Sequence, residues 1–208
     1  MIEPLNNRLP RFKIVAFGDS LTVGYQSPTR DNDLYLETPY VDFITEKTGD
    51  SLEFIVKGIS GELTEEMLRR FDEDVLDIKP NYVIILGGTN DIGWGQSMDS
   101  IADNLFAMYD MAIKADIVPI AVTVPSIRGF DSLIYPRLVL NDMIKKHCIS
   151  RNITYVDLFN ASAEKDSSSG LAIQRLSEVY SNDGLHLSTA GYRLLGDLLY
   201  KEVFEKIL

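Results

Sequence analysis

The chain is poor in the residues that build metal sites and covalent staples. Its 208 residues include one cysteine, Cys148, and two histidines, His147 and His186. A single cysteine excludes an internal disulfide, and so low a count suits a reducing compartment. Cys148 reads as a small residue within a helix rather than a reactive thiol. With no Cys/His cluster and no calcium-loop spacing, a metal site is not expected. Long apolar runs are also missing. None approaches about 18 residues, so no membrane-spanning helix or membrane insertion is expected. The opening stretch "MIEPLNNRLPRF" lacks an apolar core of signal-peptide length, and the expected location is cytoplasmic. Positive charge is scarce: 20 Lys and Arg stand against 31 Asp and Glu, for a formal net charge of −11. Such a surface repels a nucleic-acid backbone and an anionic membrane face, and it leaves a small neutral substrate open. No G-x-G-x-x-G and no P-loop is present, so the cradle of a nucleotide- or flavin-binding module is missing and no cofactor is expected.

What is present describes an α/β chain. Hydrophobic residues make up 45% and charged residues 25%, an ordinary globular balance consistent with one domain over residues 1–208. Four short apolar runs rich in β-branched residues read as strands buried on both faces: 11–18 (RFKIVAFG), 81–88 (NYVIILGG), 116–124 (DIVPIAVTV) and 152–159 (NITYVDLF). A fifth, 51–58 (SLEFIVKG), is more mixed and belongs nearer an edge. Helical patterns alternate with them. One opens with Thr38 as N-cap and Pro39 at the first helical position. Others cover 63–76, 97–115, 135–151 and 188–208, the last with Ser188 as N-cap. Strand-helix alternation along the whole chain implies a parallel sheet with helices on both faces. The remaining segments, 19–37, 89–96, 125–134 and 160–187, read as loops. Three of them follow strands, and strand carboxyl ends form the binding crevice of such sheets.

Four segments carry residues with chemical potential. In "FGDSLTVGY" (17–25) Ser20 stands just past a strand, where a serine is either a turn residue or a nucleophile. In "VKGISGELT" (56–64) Gly58 and Gly61 permit a tight turn, or a close approach of backbone amides to an anion. In "LGGTND" (86–91) Asn90 is either a cap or a carboxamide donor to an oxyanion. In "SNDGLHLSTAGY" (181–192) Asp183 and His186 are three residues apart, so one turn can deliver a carboxylate that orients an imidazole. His147, beside lysines on a helix, reads as a surface residue. Together the four supply a nucleophile, an amide, a carboxamide and an Asp-His pair, the parts of an acyl-transfer site.

In these blocks the sequence resembles the SGNH hydrolases, also called GDSL esterases and lipases. "GDSLT", "GISGELT", "GGTND" and "DGLHLS" match the family's first, second, third and fifth blocks, and the match runs from about Phe12 to near the C-terminus. Val56-Lys57 stand where the second block often begins with asparagine, Glu62 where it usually has aspartate, and Leu187 where proline often follows the histidine. None of these departures removes a catalytic group. The resemblance implies a three-layer α/β/α fold with a five-stranded, flavodoxin-like parallel sheet. It implies catalytic roles for Ser20, Asp183 and His186, and an oxyanion hole of the Ser20 and Gly61 amides with the Asn90 side chain. The reaction implied is hydrolysis of a small-molecule ester through an acyl-enzyme.

Trp94, between Gly93 and Gly95, reads as a pocket cover or a loop anchor. Ile127, Phe130, Leu133 and Ile134 form an apolar loop that reads as a substrate wall or a dimer contact, which leaves a homo-oligomer open. Asp19 and Asp91, beside Ser20 and Asn90, read as solvated turn carboxylates or supporting groups. No carbohydrate platform of exposed aromatics is visible, so short-chain and aryl esters are expected ahead of O-acetylated sugars, lysophospholipids or thioesters. A degenerate, non-catalytic binding module of the same fold is the rival class.

Overall fold

The computed structural model describes residues 12–29, 34–164 and 174–208. Five strands form a parallel sheet: β1 (Phe12–Gly18), β4 (Leu52–Gly58), β5 (Tyr82–Leu86), β6 (Val118–Val122) and β7 (Thr154–Val156). Two short strands, β2 (Tyr25–Gln26) and β3 (Leu36–Glu37), pair antiparallel outside that sheet. The spatial order of the main sheet is β4-β1-β5-β6-β7. This is the flavodoxin-like order of a three-layer α/β/α fold, and it puts the mixed strand β4 at an edge as its composition implies.

Alternation within the central strands explains why they read as continuous apolar runs. Ile14 and Ala16 of β1, Ile84 and Leu86 of β5, and Ile120 and Val122 of β6 belong to one core. Val15 and Phe17, Val83 and Ile85, and Ala121 belong to the other. The first core is closed by α2 (Tyr40–Thr48) and α8 (Thr189–Glu202), and the second by α3 (Thr64–Phe71), α5 (Met98–Lys114) and α6 (Ile134–Arg151). Both faces of each central strand are therefore apolar. Ser97 and Ser188 cap α5 and α8 by accepting the N–H groups of Ser100 and Gly191.

Three local expectations shift. The first helix begins at Tyr40, not Pro39, because Pro39 keeps an extended ψ of 139° and the Thr38 hydroxyl accepts from Gln26 Nε2 instead of capping. The 63–76 pattern splits into α3 and a π-helical turn, Asp72–Leu76. Two segments read as loops hold short helices, α1 (Ser20–Val23) and α4 (Thr89–Gly93), and α7 (Leu158–Ser162) replaces the end of the strand expected to Phe159 and runs into the loop expected from 160. Part of the loop expected over 160–187 lies outside the described residues.

Register aligns the sheet's carboxyl edge. Gly18 at the end of β1 pairs with Gly58 of β4 and with Leu86 of β5. The segments leaving these strands carry Ser20, Gly61 and Asn90, so all three start from one level. The two glycines make this edge possible. A Cβ on Gly18 would lie 2.2 Å from the Leu86 carbonyl oxygen, and one on Gly58 would lie 2.7 Å from the Val23 nitrogen.

Candidate active site

Ser20 opens α1, a helix of only four residues. Asp19 caps it, its Oδ1 accepting the Leu21 N–H at 2.9 Å. The next segment turns at Gly61, whose φ of +83° lies in the left-handed region that favours glycine. Among the described residues, the N–H groups of Ser20 and Gly61 donate to no other protein group.

Glu62 and Arg70 brace this turn. Arg70 Nε donates to Glu62 Oε1 at 2.7 Å and Nη2 to Oε2 at 2.5 Å, while Nη1 donates to Asp74 Oδ2 at 2.8 Å. The same guanidinium donates to the carbonyls of Gly18 and Lys57 and lies over the Phe17 ring. It thereby ties the end of β1, the end of β4 and the Gly61 turn to α3. Burial alone would lower the Arg70 pKa; its hydrogen bonds to Glu62 and Asp74 outweigh that and raise it. Glu62 was visible only as a departure from the family pattern, and nothing local to Arg70 marked its role.

Asn90 sits in the first turn of α4, after Gly88 with φ +107°. Its Nδ2 donates to the Glu62 carbonyl at 2.9 Å and approaches Asp19 Oδ2 at 3.4 Å. Asp91 anchors this helix to α3: it accepts the Thr64 N–H at 3.0 Å and the Thr64 hydroxyl at 2.6 Å. Asp19 and Asp91 are thus not solvated turn carboxylates. Both are buried: Asp19 is met by the Leu21 N–H inside its own turn, and Asp91 by Thr64 at the start of α3. Burial raises the Asp19 pKa to about 7, against the Leu21 N–H; Asp91 and Glu62 add to the rise and His186 opposes it.

The turn before α8 delivers the remaining pair. Asp183 Oδ1 accepts the N–H groups of Leu185 and His186, each at 2.8 Å. Asp183 Oδ2 faces His186 Nδ1 at 2.8 Å and accepts the Ser27 hydroxyl. A carboxylate only accepts, so Nδ1 carries the proton and Nε2 is left for other work. Partial burial pushes the Asp183 carboxyl up, but hydrogen bonds from His186, Ser27 and the two amides hold it below the usual carboxylate range. The Tyr25 ring packs edge-on against His186 with centroids 4.6 Å apart, and Tyr192 donates to the Tyr25 carbonyl at 2.7 Å. Neither Ser27 nor Tyr25 carried a sequence signal, since both act through contacts across more than 150 positions. Ser20 Oγ and His186 are not hydrogen-bonded to each other in this structure.

A cleft of about 440 Å³ opens beside Asn90, lined by Trp94, Ile127, Phe130, Leu133, Arg137 and Leu185 among others. All three expected substrate-wall residues, Trp94, Ile127 and Phe130, line it. Ile127 is buried, whereas Trp94 is 78% and Phe130 63% exposed. Trp94 is therefore not a loop anchor on the core. Two exposed aromatics, not singled out from the sequence as a carbohydrate platform, thus stand at one cleft. His147 is not a plain surface residue: its ring stacks on Phe106 at 3.8 Å. Cys148 is buried, and burial pushes its thiol up to about 12, so it is unreactive.

The sheet order and the residues gathered at its carboxyl edge define the α/β/α architecture of the SGNH hydrolases. The chain belongs to the GDSL-like lipase/acylhydrolase family, whose model matches residues 16–194. It resembles a lipase/acylhydrolase from Enterococcus faecalis at 26% identity and a TM-score of 0.74, covering 94% of this chain and 96% of that one. It also resembles in fold an acetyl-xylooligosaccharide esterase from Geobacillus stearothermophilus, at 20% identity and a TM-score of 0.74 over 92% of this chain and 93% of that one. A curated relative, the uncharacterized lipoprotein YqeF of Bacillus subtilis, is 35% identical over 123 residues, 56% of this chain and 50% of that protein. The chain thus matches about half the length of that relative. Family and fold support an ester-hydrolysing enzyme. Among the described residues no helix is long and apolar enough to cross a membrane. A lipoprotein relative lends no support to the cytoplasmic expectation.

Proposed function

We propose that the chain is a serine esterase that hydrolyses carboxylic esters of short to medium acyl chains, or aryl esters, through an acyl-enzyme on Ser20. The observation that carries this reading is the Asp183–His186 pair at 2.8 Å, which leaves Nε2 free at the sheet edge where Ser20 emerges. Ser20 Oγ attacks the ester carbonyl while His186 Nε2 takes its proton, and Asp183 stabilises the resulting imidazolium. The contact between serine and imidazole tightens as substrate binds. The tetrahedral oxyanion accepts from the Ser20 and Gly61 amides, which have no other acceptor among the described residues, and from Asn90 Nδ2. His186 then returns the proton to the departing alcohol. In the second half, water gives a proton to His186 and its oxygen to the acyl carbon; His186 then passes that proton to Ser20 Oγ as the acyl–Oγ bond breaks, releasing the acid and the free serine.

The test is labelling by a fluorophosphonate probe, expected for the wild type and abolished in Ser20→Ala. A folded wild-type protein that resists the probe and turns over no ester in a graded p-nitrophenyl series would sink the reading in favour of a binding module. A second reading, a carbohydrate O-acetylesterase, draws on exposed Trp94 and Phe130 beside the cleft, since sugar rings stack on such faces. Acetyl-xylan in the same series, with an acyl-CoA and a lysophospholipid, discriminates among these substrates.

A further inference from the structure

The cleft beside Asn90 holds a charge that no acidic side chain among the described residues neutralises. Arg137, in the first turn of α6, lines this cleft and is 1% exposed. Its Nη1 donates to the Leu133 carbonyl at 3.1 Å. Among the described residues its Nε has no partner and no carboxylate pairs with it. Thr89, on the same lining and next to Asn90, is buried with its hydroxyl also unpartnered. Acids are not scarce in a chain with 31 of them. Arg70, another arginine beside the site, takes both Glu62 and Asp74. Burial pulls Arg137 down to about 10, so it remains a cation at neutral pH. A buried guanidinium without a carboxylate partner is strongly unfavourable, and an oxyanion held in the cleft would offer acceptors to the guanidinium and to the Thr89 hydroxyl of the same lining. The rest of the lining is largely apolar, through Trp94, Ile127, Phe130 and Leu185.

We infer that Arg137 and Thr89 form an anion-recognition subsite, so that the preferred ester has an apolar body bearing a carboxylate or phosphate on the part that enters this cleft. The inference takes the esterase reading as its base, because the subsite lies beside Asn90. Two independent assays test it. Binding needs no turnover: Ser20→Ala protein is titrated with glutarate and, separately, with inorganic phosphate, by calorimetry and thermal melting. At least one anion is expected to bind, and Arg137→Met in the same background to remove that binding. Turnover uses matched pairs: p-nitrophenyl hexanoate against mono-p-nitrophenyl adipate, and a monoacylglycerol against its phosphate. The wild type is expected to favour the anionic member of one pair by about 30-fold or more in kcat/KM. Arg137→Met should bring that ratio near one, and Arg137→Lys should restore part of it. The pair that responds tells carboxylate from phosphate. If Arg137→Met does not fold, Thr89→Val must lower the same ratio several-fold. Brisk ester turnover with no anion preference and no anion binding overturns the subsite and spares the esterase. Anion binding that depends on Arg137, with no ester turned over, supports the subsite and removes the esterase reading.

Discussion

Replacing Asp19 by asparagine isolates the most perturbed carboxyl group of the site. Asp19 is 1% exposed and its pKa is raised from 3.8 to about 7, chiefly by burial. The folded state therefore keeps a proton that the unfolded chain releases between about pH 4 and pH 7. Its contribution to stability is complete below the unfolded pKa and is lost as pH rises through 7. A difference of that size corresponds to up to about 4 kcal/mol across the window. Asparagine preserves the shape and caps a helix as well as aspartate, so the Leu21 N–H keeps its acceptor. Urea unfolding of both proteins at half-unit steps from pH 4 to 8 reads the effect directly. Wild-type stability should fall relative to Asp19→Asn as pH rises, and the gap should level off above about pH 8. Parallel stability curves across this range would show that Asp19 ionises normally and that its burial is not felt as an electrostatic cost.

Further outcomes follow from the same geometry. Asn90→Ala should lower kcat by about 10²–10³-fold with its melting temperature retained; wild-type kcat would remove Asn90 from the oxyanion hole. Arg70→Met leaves Glu62 and Asp74 without their guanidinium and should destabilise the fold by about 3–5 kcal/mol in chemical denaturation. The double change with Glu62→Gln should recover part of that loss, and a purely additive result would contradict the pairing. Asp183→Asn should lower kcat by about 10⁴-fold. The stability that the Asp183 carboxylate contributes is present above its unfolded pKa and lost as pH falls below it, so the variant should lose part of the wild type's acid sensitivity. Trp94→Ala and Phe130→Ala should alter acyl-chain preference more than melting temperature, as expected for exposed side chains. Unchanged relative kcat/KM across short and medium esters would place the acyl wall elsewhere.

The strands and the four blocks were legible because their signals are local. A doubly buried strand reads as an apolar run wherever it sits, and "GDSLT", "GISGELT", "GGTND" and "DGLHLS" each lie within a few positions. Asp183 and His186 are joined by one turn, so their spacing alone announced a hydrogen bond that the structure places at 2.8 Å. Burial was not legible. Along the chain Asp19 and Asp91 read equally as turn residues open to water or as supporting groups, and only the packing of α1, α3 and α4 around them decides for burial. Nor was exposure: Trp94 and Phe130, apolar by type, stand largely in solvent beside the cleft.

What the sequence determined by itself is the order of elements and the identity of the reactive groups, since periodicity and turn chemistry act over a few residues. The tertiary structure decided which groups meet. Sheet register puts Gly18, Gly58 and Leu86 at one level, and no short stretch encodes that alignment. It also decided which charges find partners. Arg70 and Arg137 look alike along the chain, yet one folds against two carboxylates and the other, among the described residues, against none. The reason is physical: charge pairing depends on distances of a few ångströms between segments far apart in sequence, and only the assembled fold sets those distances.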